Sequence, residues 1–196
     1  MPADTAELHR RAVEEFGARV KAVGDDQWDL PTPCAGWTLR DLLGHMTTEN
    51  LGFAAAARGE TTSRAAWTPV TFGPDPRRDY AESADAVVTA FASPAEKFWL
   101  PNVHERLHFP ATQAIGFHLL DYVVHSWDVA ASLGRTVALE DDLVAAAQEI
   151  ADRDVPEGER RHLPNAGFGP PVTLPGDTTP LAHLLSFLGR NPEWPG

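Results

Sequence analysis

The sequence predicts an all-α protein, a four-helix bundle with long loops and a short C-terminal helix. Several segments of helical length place apolar residues three and four apart, the repeat that gathers side chains on one helical face. Most of these segments are bounded by capping residues at the start and by Gly or Pro at the end. One of them, residues 112–133, is apolar nearly all round, as a helix at the centre of a bundle must be. At 196 residues the chain is long enough for a sizeable core, and with no repeat or low-complexity tract it reads as one domain over 1–196.

The first helix is expected over AELHRRAVEEFGARVKAV, where Leu8, Val13, Phe16, Val20 and Val23 share a face. Asp4 and Glu7 form its capping pair and Gly24 its stop. The Pro-rich loop DDQWDLPTPCAGW follows, and its two Trp residues are expected to pin it to the core. Thr38 and Asp41 read as a capping box for a second helix that ends before Gly59. On that helix Leu39, Leu42, Leu43, Met46, Asn50 and Phe53 fall on or near the buried face, with His45 and Glu49 at its edge.

Residues 59–78 read as a long loop, a length typical of a lid or a packed functional loop. Asp79 and Glu82 are expected to cap a third helix that stops at Ser93-Pro94. Residues 95–110 read as irregular or as a short extended pair. The central helix then runs to Gly134, LEDDLVAAAQEIADR makes a fifth helix, and Pro180 opens a short last one ending at Gly189.

Charge narrows the function. With 28 acidic against 16 basic residues the formal charge is −12, and no basic cluster interrupts it, so nucleic acid and anionic membrane are poor partners. No apolar run reaches the ~20 residues that span a bilayer, and the first twenty residues are charged and amphipathic rather than signal-like. A cytoplasmic protein acting on a small molecule is expected. The single cysteine, Cys34, leaves any metal to be held by His and carboxylate. Cys34 itself, beside Pro and Gly, reads as a packed small residue rather than as a nucleophile near the mouth of the site.

The central helix carries the strongest functional signal. His118, Asp121, His125, Asp128 and Ser132 recur at steps of three, four, three and four, which keeps them in one line along a buried helix. Buried ionisable groups are costly unless paired or bound to metal. His118 and His125 stand roughly 10 Å apart along the axis, too far to share one ion. Asp121 and His125, one turn apart, can converge on one.

His45 is the natural third ligand, being mid-helix at an apolar edge. Two nitrogens and one oxygen suit zinc, then nickel or ferrous iron, with positions left for water and substrate. The competing reading is a hydrogen-bonded core cluster. His118 is expected in a proton-handling or substrate role, and Glu49 as a general base one turn after His45. Asp128 reads as an outer acceptor, and His9, His104, His108, His162 and His183 as surface residues.

The segments PTPCAGWTLRDLLGHM (31–46), HLLDYVVHSWDVAASLG (118–134), FGPPV (168–172) and LLSFLGRNP (184–192) resemble the actinobacterial DinB-like metal-binding proteins related to mycothiol-dependent maleylpyruvate isomerase. The resemblance covers nearly the whole chain. It implies a four-helix bundle holding a divalent metal, usually zinc, through a His of the second helix and a carboxylate-x-x-x-His or His-x-x-x-His pair of a later one. Those positions fall on His45, Asp121 and His125. Relatives carry Glu where this chain has the shorter Asp121, and an additional C-terminal domain with no counterpart in these 196 residues.

The function expected is a metal-dependent enzyme that activates a low-molecular-weight thiol, with mycothiol as cosubstrate, for transfer to or isomerisation of a small electrophile. A hydrolase or lyase that activates water at the same ion is the alternative. A non-enzymatic metal- or ligand-binding protein is the third reading. A homodimer paired through a helix face is a candidate assembly.

Overall fold

A computed structural model describes residues 4–60, 63–163, 166–174, 176 and 178–194. Its helices are α1 (Thr5–Lys21), α2 (Leu39–Ala57), α3 (Pro76–Phe91), α4 (Ala111–Ser132), α5 (Asp141–Asp154) and α6 (Pro180–Phe187). Two three-residue strands, β1 (Lys97–Trp99) and β2 (His108–Pro110), pair antiparallel with Phe98 opposite Phe109. The all-α bundle expected from the sequence is the fold observed, and the short extended pair supplies the only sheet among the described residues.

Helices α1 to α4 form the bundle, with α1 packed along α4 and α2 along α3, while α5 packs on α4 and α6 on α5. Central α4 buries fifteen of its residues, which is why its apolar residues have no single preferred face. The main core joins Phe16, Leu42, Leu43, Met46, Leu119 and Tyr122. A second cluster of Phe53, Trp67, Phe91, Phe98 and Ile115 closes the end near the strands.

The caps explain where the helices begin. Thr38 and Asp41 make both halves of the capping box at α2, satisfying two N–H groups that the first turn would leave bare. At α3 the cap is Asp75, whose side chain accepts from the Arg78 N–H, with Pro76 in the first turn. The expected cap Asp79 instead accepts from the Gly73 N–H at 2.7 Å, tying the preceding loop to the helix.

That loop packs on α2 through small residues. A Cβ at Gly52 would lie 2.4 Å from the Trp67 ring, so glycine there is what lets the indole lie against the helix. Thr48 accepts from the Val70 N–H at 3.1 Å. Residues 67–72 thus form a wall of the cleft beside α2. No helix of the described residues is long and apolar enough to cross a membrane.

Candidate metal centre

His45 on α2 and the pair Asp121 and His125 on α4 meet where these helices face each other. Asp121 lies between the two rings, its Oδ2 3.1 Å from His45 Nε2 and its Oδ1 3.2 Å from His125 Nε2. The i, i+4 spacing puts Asp121 and His125 one above the other on α4. One donor atom from each of the three residues lies within 4.8 Å of the others. Donors around a tetrahedral zinc are about 3.3 Å apart when bonds are about 2.0–2.1 Å, so this set fits a divalent ion.

The back of His125 is equally specified. Its Nδ1 lies 2.8 Å from Asp128 Oδ2, one turn further along α4. A proton on Nδ1 donated to that carboxylate leaves the Nε2 lone pair directed at Asp121 and His45, the tautomer that a metal ligand needs. Asp128 is fully buried and is itself held by Arg190, whose Nη2 donates to Oδ2 at 3.2 Å. Cys34 stands beside both, its sulfur 3.3 Å from Asp128 Oδ2. The sequence offers no signal for the Arg190 contact or for the pairing of Cys34 with Asp128, because neither residue shares a helical period with those it touches.

Electrostatics follow the same geometry. Burial resists ionisation of Asp121, but the His125 and His45 imidazoles outweigh it and hold the carboxyl well below the usual range. Burial would likewise keep His125 neutral, yet Asp121 and Asp128 on its two sides hold its proton well above the ordinary value. A dication held by the same atoms would compete with that proton.

A cleft of about 720 Å³ opens at the His45 edge of the triad, lined by Trp37, Arg40, His45, Glu49, Trp67 and Phe72 among others, while Asp121 and His125 lie behind His45. Trp37 stands 5.1 Å from the His45 ring, centroid to centroid. Glu49 faces this cleft one turn beyond His45 and accepts from Asn102 Nδ2 at 3.1 Å. Burial, reinforced by the nearby Asp121 charge and opposed by His45, pushes its carboxyl up to about 7, where it can both take and give a proton near neutrality.

His118 is not in this cleft. It keeps the line of the helix but sits two turns deeper, where α1 and α3 close the bundle around it. Its ring stacks on Phe53 with centroids 4.3 Å apart, and its Nδ1 lies 3.0 Å from Nε2 of His9. Both histidines are fully buried. This corrects two expectations: His118 is sealed from any substrate in the cleft, and His9 is a core residue, not a surface one. The signal for His9 was present, since it shares the spacing of Ala12, Val13, Phe16 and Val20.

Residues 9–130, from the first helix to the end of this site, match the sequence profile of the mycothiol maleylpyruvate isomerase N-terminal domain. Two uncharacterized proteins, from two strains of Mycobacterium tuberculosis, are each 30% identical over 195 residues, covering 95% of this chain and 98% of theirs. Two solved structures of mycothiol-dependent maleylpyruvate isomerase, one a histidine-to-alanine mutant, share the fold with a TM-score of 0.57 at 15% and 16% identity. Those superpositions cover 72% of this chain and 65% of the isomerase, so the chain spans somewhat under two thirds of the solved protein. By this match the chain belongs to the mycothiol maleylpyruvate isomerase N-terminal domain family.

Proposed function

We propose that the protein is a divalent-metal-dependent enzyme that brings a low-molecular-weight thiol, such as mycothiol, to a small electrophilic substrate for isomerisation or transfer. The observation that carries this reading is the convergence of His45, Asp121 and His125 beside an aromatic-walled cleft that His45 and Glu49 line. His45, Asp121 and His125 would hold the ion, zinc before nickel or iron. Such an ion supplies a positive centre that stabilises a thiolate at neutral pH.

The remaining work falls to this chain's own groups. Asp128 fixes the His125 ring so that Nε2 faces the cleft. Trp37, Trp67 and Phe72 exclude water and offer flat apolar faces to the cosubstrate. Glu49, poised at about 7, takes the proton released from the thiol and returns one to the substrate carbon.

The test is turnover of metal-loaded protein with mycothiol and a set of small electrophiles, run beside ester and amide libraries without thiol. The expected result is thiol-dependent turnover that Glu49→Gln lowers by roughly 10²–10⁴-fold, the range of a lost general acid–base group, while bound metal is retained. Turnover of esters or amides without thiol would establish the water-activating alternative. Metal binding with neither activity would leave a binding protein.

A further inference from the structure

His125 belongs to two donor sets at once. Through Nε2 it joins His45 and Asp121. Through Nδ1 it faces Asp128 Oδ2 at 2.8 Å and Cys34 Sγ at 3.9 Å, and these three residues also bring one donor each within 4.8 Å of the others. Nitrogen, sulfur and carboxylate oxygen make a set at least as attractive to zinc or a softer ion as the first. The two sets compete, because a neutral imidazole has one lone pair. An ion bound at Nδ1 leaves the proton on Nε2, pointing at the cleft.

One side chain separates the two sets. Arg190 Nη2 lies 3.2 Å from Asp128 Oδ2 and 3.5 Å from Cys34 Sγ, and its Nε lies 3.5 Å from Asp128 Oδ1. Its side chain is only 10% exposed, and its guanidinium stays charged at any physiological pH. The guanidinium carbon stands over the Phe168 ring, 5.6 Å from its centroid.

The C-terminal backbone is built to put it there. Gly189 has φ 82°, and a Cβ on it would come within 2.8 Å of the Gly169 backbone, so glycine is needed both for the turn and for the close approach. The Arg190 N–H then donates to Leu185 O at 2.9 Å. The segments FGPPV and LLSFLGRNP contribute no ligand to the cleft; what they contribute is this cation.

We propose that the Arg190 guanidinium is the resident cation of the Cys34–His125–Asp128 set, excluding metal from it and thereby directing the ion to the Nε2 side of His125. Arg190 is thus a positioning residue for metal selection. The inference rests on the reading of His45, Asp121 and His125 as the ligands.

Cobalt(II) titration of the full chain, followed by absorbance and by the rate at which a thiol reagent modifies Cys34, tests it. The wild type should bind one equivalent with no sulfur-to-cobalt charge-transfer band and an unchanged Cys34 rate on loading. Arg190→Met, or Arg190→Gln if the first does not fold, should gain that band and slow the modification of Cys34. The added substitution Cys34→Ser should abolish the band, and cleft affinity in the single variant should fall roughly 10–100-fold, as for other lost outer partners. A wild type that already shows the band, or an Arg190 variant that loads without it, overturns the proposal and leaves the cleft site standing. A wild type that binds no cobalt overturns the ligand reading itself, and this inference with it.

Discussion

Two histidines of α4, seven residues apart on one helical line, have opposite environments. His118 stacks on Phe53 and meets only another imidazole, and burial drives its proton affinity down to about 3. His125 is also buried but lies between Asp121 and Asp128, and its proton affinity is held well above the ordinary value. Burial is the largest influence on both rings; the partner charges reverse the outcome at one and not at the other. A line of polar residues on a core helix therefore does not define one site, because depth along the axis decides what each residue meets.

Removing a cleft histidine should break this contrast most severely. His125→Ala and His45→Ala should each lower metal affinity by more than the ~100-fold at the upper end of outer-partner effects. Both should keep the helical circular dichroism of the wild type, since the apolar core remains. One equivalent of metal retained by both variants, measured by elemental analysis, would remove these residues from the site.

Asp121→Asn sharpens the same point. If the carboxylate ligates directly, affinity and turnover should fall together and steeply, because an amide is a poor anionic ligand. If water intervenes, affinity should drop only ~10–100-fold while turnover collapses. Direct ligation is the outcome expected from the positions of its two oxygens, 3.1 and 3.2 Å from the histidine nitrogens.

His118→Ala should show the converse pattern. Metal content and affinity should be unchanged, while urea denaturation reports a loss of roughly 2–4 kcal/mol, as for other large-to-small changes in a packed core. Loss of metal equal to that of His125→Ala would return His118 to the site.

The last effect is the pH dependence of stability. The unfolded chain titrates His118 near 6.5 and the folded chain only at about 3, so between these values the unfolded state binds more protons. This contribution is complete above about 6.5 and is lost progressively as pH falls toward 3. The depressed carboxyls of Asp121 and Asp128 add a further loss below their ordinary value of 3.8. The urea midpoint of metal-free protein should accordingly fall on acidification below 6.5, and less steeply in His118→Leu. An identical slope in both proteins would show that His118 does not titrate as its surroundings dictate.

Local signals carried most of the fold. The Thr38–Asp41 capping box, the Gly59 and Gly134 stops, the apolar period of α1 and the all-round apolarity of α4 act within a few residues, and each can be read from the chain alone. Asp79 reads as a cap because it precedes an apolar period, whereas Pro76 in the first turn favours Asp75, the cap observed. His9 was hidden by its charged neighbours Glu7, Arg10 and Arg11, although its spacing placed it inside.

The meeting of His45, Asp121 and His125 could be argued from helix geometry, since two of them share a helix. The Cys34–Asp128–Arg190 contacts could not. Arg190 and Cys34 are 156 residues apart, joined only by the packing of α6 and the loop around Gly169.

The account depends most on which atoms hold the ion, and X-ray absorption at the zinc edge of the loaded full chain reads this directly. It predicts two imidazole nitrogens and a carboxylate oxygen at about 2.0–2.2 Å, with no sulfur near 2.3 Å. A sulfur neighbour at that distance would place the ion on the Cys34 side of His125, and a spectrum without imidazole scattering would remove the metal from this site altogether.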